Sequence, residues 1–122
     1  MDAGTAYQLT SMMRGVVERG TAAGQVVLNA PVAGKTGTTN QAKDVWFIGF
    51  TPNIVAGCYM GMDLPRPLGR GAYGGTMCGP VFTKFMKKAL KVYGVGKFKV
   101  PDNSVFVKID RYSGERLPDD SG

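Results

Sequence analysis

Histidine is absent from the 122 residues. Its absence removes the Ser-His-Asp triad, the Cys-His pair, the HExxH zinc site and the imidazole pH switch, so acid–base work falls to Lys, Asp, Glu, Tyr or Cys. Cysteine is scarce: Cys58 and Cys78 stand alone, with no CxxC pair. A metal site is therefore not expected. Two buried thiols behaving as small hydrophobes fit this spacing, with a disulfide or a reactive thiol as the other reading. Long apolar runs are also wanting. Val45 to Met62 is uncharged, but Thr51-Pro52-Asn53 interrupts it, which predicts two strands joined by a turn instead of a membrane span. No basic leader precedes the helical pattern that begins after Asp2, so no signal peptide is expected. Acidic residues are few, 9 against 15 Lys and Arg, for a net charge of +6.

What remains suits one modest domain. A chain of this length buries roughly two thirds of its unfolded surface on folding, and a hydrophobic fraction of 43% can fill one core. Eighteen glycines are scattered without repeat, which marks turns and close backbone approaches. Leu9, Met12, Met13, Val16 and Val17 recur at helical spacing, with Thr5 and Gln8 placed as a capping box and Gly20 as the stop. Val32 to Thr39, Val45 to Phe50 and Ile54 to Met62 predict three strands of an antiparallel meander, with Asn40 to Asp44 as a polar loop. Asp63 to Gly79, rich in glycine, reads as a long loop, a kind of segment that is often functional. Pro80 then opens a second helix with Phe82, Phe85, Met86, Ala89, Leu90 and Tyr93 on one face and Lys84, Lys87, Lys88 and Lys91 on the other, ended by Gly94. The lysine face is solvated or meets an anionic membrane or polymer. Nucleic acid is not expected, because no aromatic platform interleaves with the basic residues. Val105, Val107 and Ile109 alternate before Ser113-Gly114, predicting a terminal hairpin. The fold class is thus α+β: a three-stranded antiparallel meander flanked by two helices, with residues 1–96 as the body and 97–122 as a hairpin extension.

Two glycine patterns are decoys. Gly69 to Gly74 matches GxGxxG but follows Pro65-Arg66-Pro67 and not a strand, which excludes a dinucleotide site. Gly34-Lys35-Thr36 lacks the first glycine of a P-loop, since Asn29 holds that place. The third pattern, Lys35-Thr36-Gly37-Thr38-Thr39, has a chemical use. On a strand, Lys35, Gly37 and Thr39 point to one side and Thr36 and Thr38 to the other. Glycine leaves room for an extended peptide against the backbone. An ammonium and hydroxyls suit a carboxylate, and a free N–H at the strand edge suits an oxyanion in acyl transfer.

The run Val32 to Asn40, followed by Lys43-Asp44-Val45-Trp46-Phe47-Ile48-Gly49-Phe50-Thr51-Pro52, resembles the third transpeptidase motif of class A penicillin-binding proteins. Arg66-Pro67-Leu68-Gly69, Gly74-Gly75, Pro80-Val81-Phe82 and Arg14 to Thr21 extend the resemblance over residues 5 to 93. It implies a fragment of the penicillin-binding protein and serine β-lactamase-like fold, in a serine D,D-transpeptidase that crosslinks peptidoglycan stem peptides. That enzyme would be bifunctional, with a glycosyltransferase domain, and would sit on the periplasmic face of the inner membrane. By the same resemblance, Lys35 and Thr38 are catalytic: Lys35 attracts charge and moves protons, and the Thr38 N–H completes the oxyanion hole. Thr36, Gly37, Thr38 and Thr39 bind substrate or β-lactam, with the Thr36 and Thr38 hydroxyls on the terminal carboxylate. Trp46 is expected in the core and Asp44 in a loop or ion pair. No cofactor or metal is implied.

The sequence departs from the family at its nucleophile. Ser11, Ser104, Ser113 and Ser121 are the only serines, and none begins S-x-x-K; Ser11 comes nearest, with Arg14 in the lysine's place. Both preceding motifs would have to fit in the 34 residues before Lys35, so this is expected to be the C-terminal portion of a longer enzyme, inactive alone and partnered by the N-terminal part. A non-catalytic peptidoglycan- or partner-binding module is the alternative. Exposed strand edges and apolar faces further predict a dimer or swapped oligomer.

Overall fold

The computed structural model describes residues 1–119; Ser121 and the end of the predicted extension lie outside the described residues. The chain runs α1 (Ala3–Glu18), β1 (Ala33–Thr38), a short 3-10 turn (Asn40–Ala42), β2 (Asp44–Phe50), β3 (Val55–Gly61), a wide π-type turn (Gly74–Cys78) and α2 (Gly79–Tyr93). The strands form one antiparallel sheet in the order β1-β2-β3. In register, Gly37 faces Trp46, which faces Tyr59, and Thr36 faces Phe47, which faces Cys58.

Alternation along the strands separates two faces. Val45 and Phe47 point inward and are buried with Cys78, Phe82 and Met86, partly buried Cys58 and Met60 packing against them. The rings of Phe47 and Phe82 meet edge to face at 4.8 Å. Gly49 makes that contact possible, since a Cβ there would stand 2.7 Å from both rings. α2 reaches this face through Phe82, Met86 and Ala89 while Lys84, Lys87 and Lys88 stay exposed. Phe85 and Tyr93, expected on the buried side, are exposed, and Thr83 is buried instead. Its hydroxyl, donating to Gly79 O at 2.8 Å, satisfies itself within the helix.

Other expectations need correction. α1 is capped by Asp2, whose carboxylate accepts from Thr5 N at 3.1 Å, and not by a Thr5–Gln8 box. Leu9 and Met12 are exposed, so only part of the predicted apolar face, Val16 and Val17, packs on the core. The Asp63–Gly79 loop ends in the π-type turn, a wider turn than an α-helix allows, which runs straight into α2. Among the described residues the terminal hairpin reduces to a single antiparallel bridge between Ile109 and Arg116, beside a turn in which Asp110 accepts from Tyr112 N and Ser113 N. Those two amides hold the Asp110 carboxyl below its ordinary pKa, the Ser113 bond having the larger effect.

Candidate functional site

β1 presents its motif along a free edge. Thr39 N donates to Asp44 O at 3.0 Å in continuation of the β1–β2 register, and in an antiparallel ladder such pairs alternate. Lys35 and Gly37 therefore direct their backbone groups to β2, whereas Thr36 and Thr38 turn theirs away from it. Lys35 follows the same edge: its Nζ donates to Thr36 O at 2.8 Å. The predicted alternation holds for the side chains, with Lys35 and Gly37 on the outer face and Thr36 and Thr38 on the inner one. The ammonium approaches the threonines by bending around the strand margin onto a carbonyl, and not by meeting a hydroxyl directly.

Both inner hydroxyls are anchored. Thr36 Oγ1 lies 2.7 Å from Thr21 Oγ1, and Thr38 Oγ1 accepts from Gly74 N at 3.1 Å. Gly74 can only be glycine there, because a Cβ would overlap Trp46 O and stand 2.8 Å from Gly37 O. Its neighbour Gly75 is pressed in the same way against Thr21 O. The two glycines thus let one turn touch the segment after α1 and the back of the motif strand at once. Thr21 and Gly74 are the site residues that strand reasoning on the motif alone missed. The Gly74-Gly75 doublet signalled a close approach, but nothing local to it names the strand approached.

Thr39 has a structural task besides its place in the motif. Its hydroxyl accepts from Asp44 N at 2.9 Å and lies 3.3 Å from Asp44 O, closing the β1–β2 connection. That connection is strained, with Gln41 and Ala42 at φ 63° and 50°. Beside it opens a cleft of about 600 Å³ lined by Thr38, Thr39, Asn40, Gln41, Arg70 and Tyr73, among others.

The outer face beside Gly37 is aromatic. Trp46 is not a core residue as expected but 44% exposed, with its ring 4.8 Å from that of Tyr59. Asp44 is the first residue of β2 and makes no ion pair among the described residues. Its carboxylate accepts from Tyr59 Oη at 2.7 Å. That bond to the carboxylate pushes the Tyr59 hydroxyl above its ordinary pKa. On the inner face, burial first and a hydrogen bond with Cys58 second push the Cys78 thiol up to about 12. Both thiols are free.

The margin of β1 thus gathers a lysine, two threonines and a glycine, backed by a glycine doublet pressed against it. The chain belongs to the penicillin-binding protein transpeptidase domain family, whose model matches residues 1–87. It is 48% identical over 120 residues to penicillin-binding protein 1A of Rickettsia bellii, covering 98% of this chain and 15% of that protein. It is 44% identical to penicillin-binding protein 1A of Neisseria cinerea, covering 100% of this chain and 15% of that one. The crystal structure of penicillin-binding protein 1A from Haemophilus influenzae superposes with a TM-score of 0.80 at 28% identity, over 98% of this chain and 19% of that chain. The chain thus spans about 15% of the length of its curated relatives. Among the described residues no helix is long and apolar enough to cross a membrane.

Proposed function

We propose that this chain supplies the acyl-donor margin of a serine D,D-transpeptidase that crosslinks peptidoglycan. The observation that carries the reading is the β1 edge, where Thr36 and Thr38 turn their amides away from β2 while Lys35 Nζ sits on the same margin. A stem peptide ending in D-Ala-D-Ala adds there as an extra strand. The ammonium draws in its terminal carboxylate, and the Thr36 and Thr38 hydroxyls fix the direction of that carboxylate. Gly37, with no side chain, lets the peptide approach, and Thr39 keeps the strand's end in place. A serine oxygen attacks the penultimate D-Ala carbonyl, and the Thr38 N–H stabilises the oxyanion that forms. Collapse of the adduct expels terminal D-Ala as the protonated amine and leaves an ester. An amine of a second stem peptide then displaces the serine, with Lys35 assisting proton movement.

None of the four serines begins S-x-x-K, so the chain by itself binds without acylating. Its partner in the reaction is a polypeptide segment that carries that serine. A bifunctional enzyme with glycosyltransferase activity, on the periplasmic face of the inner membrane, is the setting this reading supplies. Incubation with a fluorescent penicillin tests it. The 122-residue chain is expected to show no covalent adduct on a denaturing gel, whereas a longer chain joining it to an S-x-x-K segment labels, and Lys35→Ala there lowers the labelling rate about 100-fold or more. An adduct on the short chain, or full labelling of the Lys35 variant, would overturn the reading.

A further inference from the structure

Three of the six arginines face a carboxylate: Arg14 and Arg19 meet Glu18, and Arg116 meets Asp119. Arg70 does not. It makes no hydrogen bond or ion pair among the described residues, and it lines the cleft at the end of β1 together with Thr38 and Thr39. No acidic side chain shares that lining, so the guanidinium has no internal counter-charge.

The loop that carries Arg70 is held at both ends. Leu68 N donates to Ala42 O at 3.0 Å, tying one end to the β1–β2 connection. Thr76 Oγ1 donates to Gly71 O at 2.6 Å, tying the other to the π-type turn. Gly69 and Gly71, at φ 115° and 71°, make the reversals that put Arg70 at the tip between them.

We propose that Arg70 recognises an acidic side chain on the donor peptide, at the residue immediately before the one that is acylated. The assignment rests on the reading of the β1 edge given above. A peptide added antiparallel to β1 with its terminal carboxylate at Thr36 and its penultimate carbonyl at the Thr38 N–H runs backward past Thr39 and Asn40. Successive residues advance about 3.3 Å along an extended strand. The residue before the acylated one therefore comes level with the cleft, and its side chain has the guanidinium to meet. Arginine's planar fork matches a carboxylate in two parallel hydrogen bonds, which an amide in the same place cannot reproduce.

Backbone NMR on the 122-residue chain distinguishes the two claims. The probes are N-acetylated tripeptides ending in D-Ala-D-Ala, whose first residue bears a side-chain carboxylate or the corresponding carboxamide. Both are expected to shift the Thr36 and Thr38 amides, and the carboxylate peptide also Gly71 and Tyr73. It should bind about threefold tighter, in keeping with a solvent-exposed charge pair. Arg70→Gln should erase that preference, and Arg66→Gln, which removes the same charge outside the cleft, should keep it. Equal affinities in the parent chain, or a preference that survives Arg70→Gln, would overturn the role of Arg70 alone. Failure of both peptides to move Thr36 and Thr38 would overturn the edge reading and the subsite with it.

Discussion

The two faces of the sheet carry similar apolar residues and meet different fates. On the inner face Val45 and Phe47 have no solvent exposure, sealed by Phe82 and Met86 from α2. On the outer face Trp46, Ile48, Val55 and Tyr59 are 44 to 67% exposed. Antiparallel sheets commonly pack one face on the core and leave the other to solvent, and this sheet does so among the described residues although its outer face is apolar. The inner face fixes the fold, and the outer face leaves apolar surface uncovered among the described residues. The motif strand lies where the two meet, its threonine hydroxyls on one side and Lys35 and Gly37 on the other.

The sharpest break in that comparison is Phe47→Ala. Removing a fully buried ring between α2 and the sheet should cost about 3–5 kcal/mol, a large part of the stability of any domain this size. Urea unfolding at neutral pH measures it. Retention of more than half of the parent's midpoint would show that the inner face does not carry the fold.

Alkaline pH tests the same face more gently. Cys78 has its pKa raised from 9.0 to about 12 by burial and by its bond with Cys58. A group whose folded pKa lies above its unfolded one contributes stability that is complete below the unfolded value and is lost as pH rises through the folded one. Stability should therefore fall between about pH 9 and pH 12, and Cys78→Ala should remove that part of the decline. A pH profile identical in both proteins would mean the thiol is not held protonated by the core.

How far the sequence discloses this architecture differs between the same two faces. The meander was legible because β-branched and aromatic runs are punctuated by Thr51-Pro52-Asn53, and the observed strands differ from the expected ones by at most one residue at each end. α2 was legible from Pro80 to Gly94, since a proline start and a glycine at φ 80° are local signals. Trp46 was expected in the core and is exposed instead, because period-two alternation tells which residues share a face and not which face is covered. The motif's residue types raised the expectation of a carboxylate grip. Yet Thr21 reaches Thr36 across fifteen residues and Gly74 reaches Thr38 across thirty-six, pairings that depend on tertiary packing and leave no periodic trace.

The outer face offers the mildest perturbation. Free edges on β1 and β3 lie beside this exposed apolar surface, and β3 (Val55–Gly61) contains no proline, lysine or other charge that would discourage pairing. Two copies of the chain should therefore associate through this face, and sedimentation at rising concentration should show a dimer or a larger assembly. Replacing Ile48 by Lys places a charge in the middle of the patch without touching the core, so unfolding free energy should change by less than about 1 kcal/mol while association weakens about tenfold or more. Tyr59→Phe separates the patch from the hydrogen bond within it: the ring against Trp46 stays, the bond to Asp44 goes, and association should be nearly unchanged. A parent chain that remains monomeric at millimolar concentration would show that exposed aromatics on this sheet do not suffice to recruit a second copy. A loss of association in Tyr59→Phe equal to that in Ile48→Lys would shift the cause from apolar coverage to the Asp44–Tyr59 bond.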